Sequence, residues 1–268
     1  MAVVPAAGRG TRMRPATRVV PKALIPVVDR PTIQYSVEEA ARAGVEEVVV
    51  VVDPDVGDLV HRHFTDEEPL PGLERVEVRP VIQEQPRGLG DAVLVARQAV
   101  GERPFFCLLV DRIVYPGHEV LAGTAQASDG RSVVCLRSLT PELLEHYGVV
   151  VPGRWLDDRV VEVRGAVEKP GVEEAPSQLG LEGRYLFDPD IFAVLEGLPP
   201  GHGGEVQLTD AIRMLAEGDR CLGFVIEEDL LDVGTPLGLL EATTVLGAEH
   251  AEWADDYREF LKTFVESL

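Results

Sequence analysis

Apolar residues in this chain fall in short, dense runs separated by turn formers, a pattern of buried strands alternating with helices. Residues 2–4, the five consecutive valines 48–52, and residues 76–81 and 105–110 each read as a buried strand. Between them lies a helix that opens near Pro31 and stops before Gly44, a first-turn proline and a C-cap glycine. Helical patterns near 56–64 and 88–99 complete a βαβ rhythm, which predicts an α/β fold with a mostly parallel sheet. After Ser132 the texture changes to shorter candidate strands at 132–136, 147–151, 160–163 and 184–187, set apart by Pro, Gly and Asp. This second half reads as a smaller lobe folded onto the first, with no linker between them. Residues 197–204 hold four glycines and two prolines and predict a mobile surface loop. From Ala248 onward, Trp253, Tyr257, Phe260, Leu261, Phe264 and Leu268 recur at helical spacing. That amphipathic helix has two open roles: covering this chain's own core, or meeting another subunit. The organisation expected is one domain, with halves 1–131 and 132–246 and a terminal helix at 247–268.

Composition narrows the partners. At 268 residues and 45% hydrophobic, the chain can bury one substantial core. Its formal net charge of −21 argues against a nucleic-acid polymer or an anionic membrane, both of which reward a basic face. Cys107, Cys135 and Cys221 are widely spaced, without a CxxC pair or an even-numbered framework, and read as buried thiols in a reducing cytoplasm. The longest aliphatic run, 48–52, is too short to cross a bilayer, and no targeting segment is expected.

Against that acidic background, the first strand runs into a glycine turn rich in cations, Gly8-Arg9-Gly10-Thr11-Arg12, with Arg14, Arg18 and Lys22 following. Glycines let a backbone approach an anion closely and aim successive N–H groups at it, so this is a phosphate cradle. Pro15 and Pro21 forbid a regular helix across the segment, which excludes both a P-loop and a dinucleotide fingerprint. Asp111 follows the apolar run 105–110 and would emerge at the carboxyl end of a central strand, where open α/β sheets bind ligands. Asp232, before Gly234 and the helix start at Pro236, stands at a similar strand exit. The histidines form no ligand set, since His61 and His63 lie on different faces of a helix. No nucleophile and base pair stands out either, which suits chemistry by positioning and charge neutralisation.

From Gly8 to Lys22 the chain matches GxGTRxxPxTxxxPK at every specified position and on these residues resembles the sugar nucleotidyltransferases. The continuation from Ala23 to Tyr35 is most similar to the bacterial UTP:glucose-1-phosphate uridylyltransferases. The resemblance implies a Rossmann-like three-layer fold with a central mixed, mostly parallel sheet and a smaller sugar-binding lobe. It implies Mg²⁺ on Asp111 and Asp232, and a nucleotide held by Ala6, Ala7, Gly8, Gly10 and Thr11. Gln83, five residues before Gly88, would read the base together with that glycine. The sugar phosphate would be met by Glu168 and Lys169 of Val-Glu-Lys-Pro, with Gly148 of a Tyr-Gly pair and Tyr185 of Gly-Arg-Tyr. Arg12, Lys22 and Lys169 are the implied catalytic cations. Two residues depart from the family pattern, Val110 and Arg112 on either side of Asp111, and Arg112 could pair with Asp111 or with a substrate phosphate. Glu227, Glu228 and Asp229 read as a solvated charge run.

The reaction so implied is attack by a sugar 1-phosphate on the α-phosphorus of a nucleoside triphosphate, UTP with glucose 1-phosphate being the favoured pair. Two alternatives stand beside it. One is a sibling using dTTP, GTP or ATP with another sugar or cyclitol phosphate; the other is a non-catalytic homologue that binds nucleotide sugars. Family relatives imply a homodimer or homotetramer.

Overall fold

A computed structural model describes residues 1–66, 68–115, 119–228 and 230–268. Strands from both halves of the chain join in one nine-stranded sheet. Its order is Glu77–Ile82, Glu47–Val52, Ala2–Pro5, Phe105–Leu108, Leu179–Phe187, Ser132–Ser138, Cys221–Val225, Val160–Glu168 and Gly148–Trp155. The first four run parallel, as the βαβ rhythm requires, with Val3 opposite both Val49 and Cys107. Leu179–Phe187 then enters antiparallel to Phe105–Leu108 and carries the sheet into the second half. The long, bulged strands 148–155, 160–168 and 179–187 extend well beyond the short runs read from sequence. Gly165, Gly180 and Gly183 interrupt their apolar alternation, so hydrophobic pattern alone ends these strands early.

Helices cover both faces. Thr32–Arg42 buries Ile33, Val37 and Ala40 against one side of the parallel strands; Leu89–Val95 and Leu208–Glu217 bury Val93, Ile212 and Leu215 on the other. The helical stretch 88–99 is broken at Ala96 into two pieces. All three cysteines are buried and unpaired. Among the described residues, no helix is long and apolar enough to cross a membrane. The terminal helix Ala254–Glu266 buries none of its residues. It meets the body through Tyr257 against Gly247, while Phe260, Phe264 and Val265 stay exposed, so it does not serve as a cover for the core.

One charged contact crosses the core. Arg184 is wholly buried, and its guanidinium donates to both carboxylate oxygens of Glu39 at 2.7–3.0 Å. Its remaining N–H groups donate to the carbonyls of Leu109 at 2.9 Å and Arg112 at 2.6 Å. Arg184→Leu should therefore lower the unfolding free energy by about 3–5 kcal/mol, because the Glu39 charge is left buried alone. Urea denaturation would read this as a lower midpoint, with part of the loss recovered in the double variant Arg184→Leu/Glu39→Leu.

Candidate active site

The parallel strands end together at a cavity of about 620 Å³. Its near wall is the segment 5–11 with Lys22, its floor is Leu109 to Asp111, and its far wall comprises Gln83, Pro86, Gly88, Leu89 and Ala92. The loop leaving the first strand is a succession of tight turns, Thr11–Met13, Ala16–Arg18 and Lys22–Leu24, with no regular helix, as its prolines demand. Gly10 is left-handed at φ 56°, and a Cβ there would lie 2.9 Å from Thr17 Cγ2 and 3.1 Å from Lys22 Cβ. Only glycine lets the loop fold back so tightly that Lys22 returns beside its start. Thr17 Oγ1 locks the fold by donating to the Gly10 carbonyl at 2.7 Å.

Lys22 Nζ then donates to Asp111 Oδ2 at 2.5 Å, and Arg12 approaches the same oxygen at 3.6 Å. Burial pushes the Asp111 carboxyl up, but Lys22, Arg112 and Arg12 outweigh it and hold the group below the usual aspartate range. Asp232 pairs with Arg112 across a short antiparallel ribbon, and Val233 N donates to the Asp111 carbonyl at 2.9 Å. The ribbon therefore brings the two aspartates to one point. A Cβ on Gly234 would lie 2.9 Å from Asp232 Oδ1, 3.0 Å from Asp111 Oδ2 and 3.0 Å from Arg12 Nη2.

These two carboxylates offer hard oxygen donors to a divalent cation. Among the described residues no cluster of three or more acidic, His or Cys ligands is set to hold a metal. A cation here would complete its shell with water and phosphate oxygens, the habit of Mg²⁺.

Arg112 turns away from Asp111 toward Asp232 at 3.6 Å and Glu182 at 3.7 Å, and its guanidinium lies over the Tyr147 ring at 4.9 Å. It also donates to the Tyr147 hydroxyl. Burial disfavours its charge, yet Glu182, Tyr147 and Asp232 hold its pKa above the ordinary arginine value. Glu182 itself is buried, and burial raises its carboxyl despite Arg112 and Arg137.

Through Tyr147 this network reaches the sugar-side residues, which lie outside the lining of the main cavity. Lys169 N donates to the Tyr147 carbonyl at 3.0 Å, and Lys169 Nζ rests on Glu168 Oε1 at 3.0 Å. Thr209 donates to the other Glu168 oxygen at 2.6 Å. Lys169 sits at φ 47°, a left-handed conformation that costs a non-glycine residue about 1–2 kcal/mol. Gly148 pairs with Glu168, and a Cβ there would lie 2.8 Å from Thr209 Oγ1 and Leu181 Cδ1.

Tyr185 is 4% exposed, stacked on Phe187, with burial first and then the nearby Cys107 and Glu168 raising its hydroxyl pKa well above normal. Its neighbour Arg184 takes the opposite face of the strand. Of the charge run 227–229, Glu228 pairs with Arg159 at 3.4 Å; Asp229 lies outside the described residues.

Sequence reasoning missed Gly203 and Gly204, which line the cavity from the loop assigned to the surface, and Glu205, read with the segment 205–212 as helix entry and packing, lines it beside them. That loop is pinned, with Val206 N donating to the Arg87 carbonyl at 2.8 Å and Gly90 N to the Val206 carbonyl at 2.9 Å. The signal in the sequence was the Gly203-Gly204 pair, which the structure holds in left-handed backbone at φ 68° and 75°.

Known proteins share this plan. Residues 1–249 match the family model described as nucleotidyl transferase. The chain is 37% identical over 280 residues to UTP–glucose-1-phosphate uridylyltransferase 2 of Staphylococcus saprophyticus, covering 97% of this chain and 96% of that protein. It is 36% identical over 280 residues to the UTP–glucose-1-phosphate uridylyltransferase of Bacillus subtilis, covering 97% and 95%. A UDP-glucose pyrophosphorylase solved with UDP-glucose superposes with a TM-score of 0.85 at 32% identity, covering 93% of this chain and 98% of that one. A UTP-bound enzyme from Acinetobacter baumannii gives 0.83 at 33% identity, covering 97% of each.

The crowding at Gly234 yields a direct prediction. Gly234→Ala should weaken binding of a metal-loaded nucleoside triphosphate by roughly tenfold or more, because a methyl group displaces both carboxylates and Arg12. Calorimetric titration would show this while the melting temperature stays within a few degrees, since the atoms a methyl group meets there are polar side-chain ends rather than the hydrophobic core.

Proposed function

The chain belongs to the nucleotidyl transferase family, and we propose that it transfers a uridylyl group from UTP to glucose 1-phosphate, releasing pyrophosphate and forming UDP-glucose. The observation that carries this reading is a cavity lined by Lys22 and Asp111 as well as by Gln83 and Gly88, with Arg12 and Asp232 converging on Asp111 beside it. Charge chemistry and base recognition around one cavity match a nucleotide lying in it. The relatives at 36–37% identity carry the name of this activity over nearly their whole length.

In this mechanism the backbone of Ala6, Ala7, Gly8, Gly10 and Thr11 cradles the phosphates. Arg12 and Lys22 stabilise charge developing on the triphosphate as pyrophosphate departs. Gln83 and Gly88 hold the base. Lys169 leaves Glu168 to meet the incoming sugar phosphate, whose oxygen attacks the α-phosphorus in line, while Glu168 and the Gly148 backbone receive the sugar hydroxyls. Asp111 and Asp232 would hold Mg²⁺, which when bound supplies charge neutralisation between two polyanions. No protein nucleophile is needed. Lys22 already neutralises Asp111 before any ligand arrives, so the carboxylate stays ionised and available.

The same reading extends to surroundings and assembly. Buried free thiols suit a reducing cytoplasm. The exposed Phe260, Phe264 and Val265 of the terminal helix, with Leu237 and Leu240 exposed on the preceding one, favour a homo-oligomer.

Pyrophosphate release with Mg²⁺ should be fastest for UTP with glucose 1-phosphate when UTP, dTTP, GTP, ATP and CTP are each tried against a panel of sugar and cyclitol phosphates. Asp111→Asn and Lys22→Ala should each lower kcat by about a hundredfold or more. A better rate with another pair would transfer the enzyme to that reaction. Silence across the panel despite UDP-glucose binding would leave a binding protein instead.

A further inference from the structure

Gln83 reads the base only if its amide is turned the right way, and the fold contains a device that turns it. The residue follows the strand Glu77–Ile82, its backbone N–H donates to the Val52 carbonyl at 2.8 Å, and its side chain is 3% exposed while lining the cavity. Its Nε2 donates to Asp91 Oδ2 at 2.7 Å and lies 3.4 Å from the Gly88 carbonyl. Asp91, also 3% exposed, stands in the first turn of the helix Leu89–Val95; its other oxygen accepts from Arg87 Nη2 at 2.7 Å. An ionised carboxylate and a backbone carbonyl can only accept, so both must face the NH₂ end of the amide. The two N–H groups are thereby spent on protein, and the carbonyl oxygen is the end left for a ligand.

We propose that Asp91 is a positioning residue for base selection: it holds the Gln83 amide with its oxygen toward the base, so that an imide N–H is accepted and cytosine is refused. Uracil and thymine carry a donor at N3, which that oxygen accepts. Cytosine carries a bare acceptor there, and two lone pairs would face each other in a buried site. A freely rotating amide would serve either pyrimidine. Arg87 holds Asp91 in place from the solvent side. The inference rests on the uridylyl-transfer reading for its ligand, but it concerns the imide edge, which uracil and thymine share.

Equilibrium binding and turnover together test it, with UTP, dTTP and CTP as probes on the intact chain and on Asp91→Ala and the isosteric Asp91→Asn. In the parent, UTP or dTTP should bind far more tightly than CTP. In either variant the UTP-to-CTP ratio of affinities and of kcat/KM should fall by about tenfold or more, mostly through KM, with the KM for glucose 1-phosphate held within about twofold. A merely structural role would lower all nucleotides alike and leave the ratio where it was; that result, in whichever variant folds, overturns the proposal. A parent that prefers dTTP to UTP would refute the uridylyl reading and leave Asp91 in its role. A parent that prefers CTP would overturn both.

Discussion

Everything at the site hangs on the grip of Arg184. Its guanidinium is buried in a bidentate contact with Glu39 and holds the carbonyls of Leu109 and Arg112, one on each side of Asp111. A helix of the first half, a strand of the second and the turn bearing Asp111 are thus fixed by one side chain. Buried ion pairs gain little net stability, because removing two charges from water offsets most of their attraction. What the contact supplies is placement: five N–H donors in a rigid plane leave the turn almost no freedom. With Asp111 so fixed, Lys22 and Arg12 have a defined anchor, and through the ribbon that joins residues 112–114 to 230–232 so does Asp232.

A ladder of charges runs outward from this point. Lys22 lies against Asp111, Arg112 against Asp232 and Glu182, Tyr147 over Arg112, and Lys169 against Glu168. Each cation rests on a carboxylate, so no charge is buried alone. The chain as a whole is strongly acidic, yet Arg9, Arg12, Arg14, Arg18 and Lys22 crowd a single loop. That loop is a local positive island, and the surrounding acidic surface repels polyanions that do not fit it. Arg112, one of the two residues beside Asp111 that depart from the expected pattern, is absorbed by this ladder, and its cationic head turns to Asp232 and Glu182 rather than to the Asp111 carboxylate that it follows in sequence.

Local signals were legible in the sequence wherever the chemistry is written in consecutive residues. The glycine and proline spacing from Gly8 to Lys22, and the strand-end aspartates 111 and 232, led to residues that the fold brings together. Signals that depend on strand phase or on distant partners were not legible. Tyr185 and Arg184 are adjacent and both buried, on opposite faces of the sheet, and a buried arginine is tolerated there only because of a partner 145 residues away, Glu39. Asp91 looks like an ordinary first-turn helix residue until Gln83 is found behind it. The glycine loop 197–204 reads as surface by composition, and only the backbone contacts of Val206, just beyond it, with Arg87 and Gly90 bring its end to the wall of the cavity. The terminal helix showed its amphipathic period plainly, but periodicity names an apolar face without saying what that face meets.

The unbroken sheet has a mechanical consequence. The antiparallel ladder between Phe105–Leu108 and Leu179–Phe187 stitches the two halves into one slab, with Arg184 opposite Leu108 and Phe187 opposite Phe105. A rigid rotation of one half over the other would tear those backbone hydrogen bonds, so the molecule has no hinge at its waist. Closing over a bound molecule therefore falls to the loops around the rim, not to a swing of one half against the other.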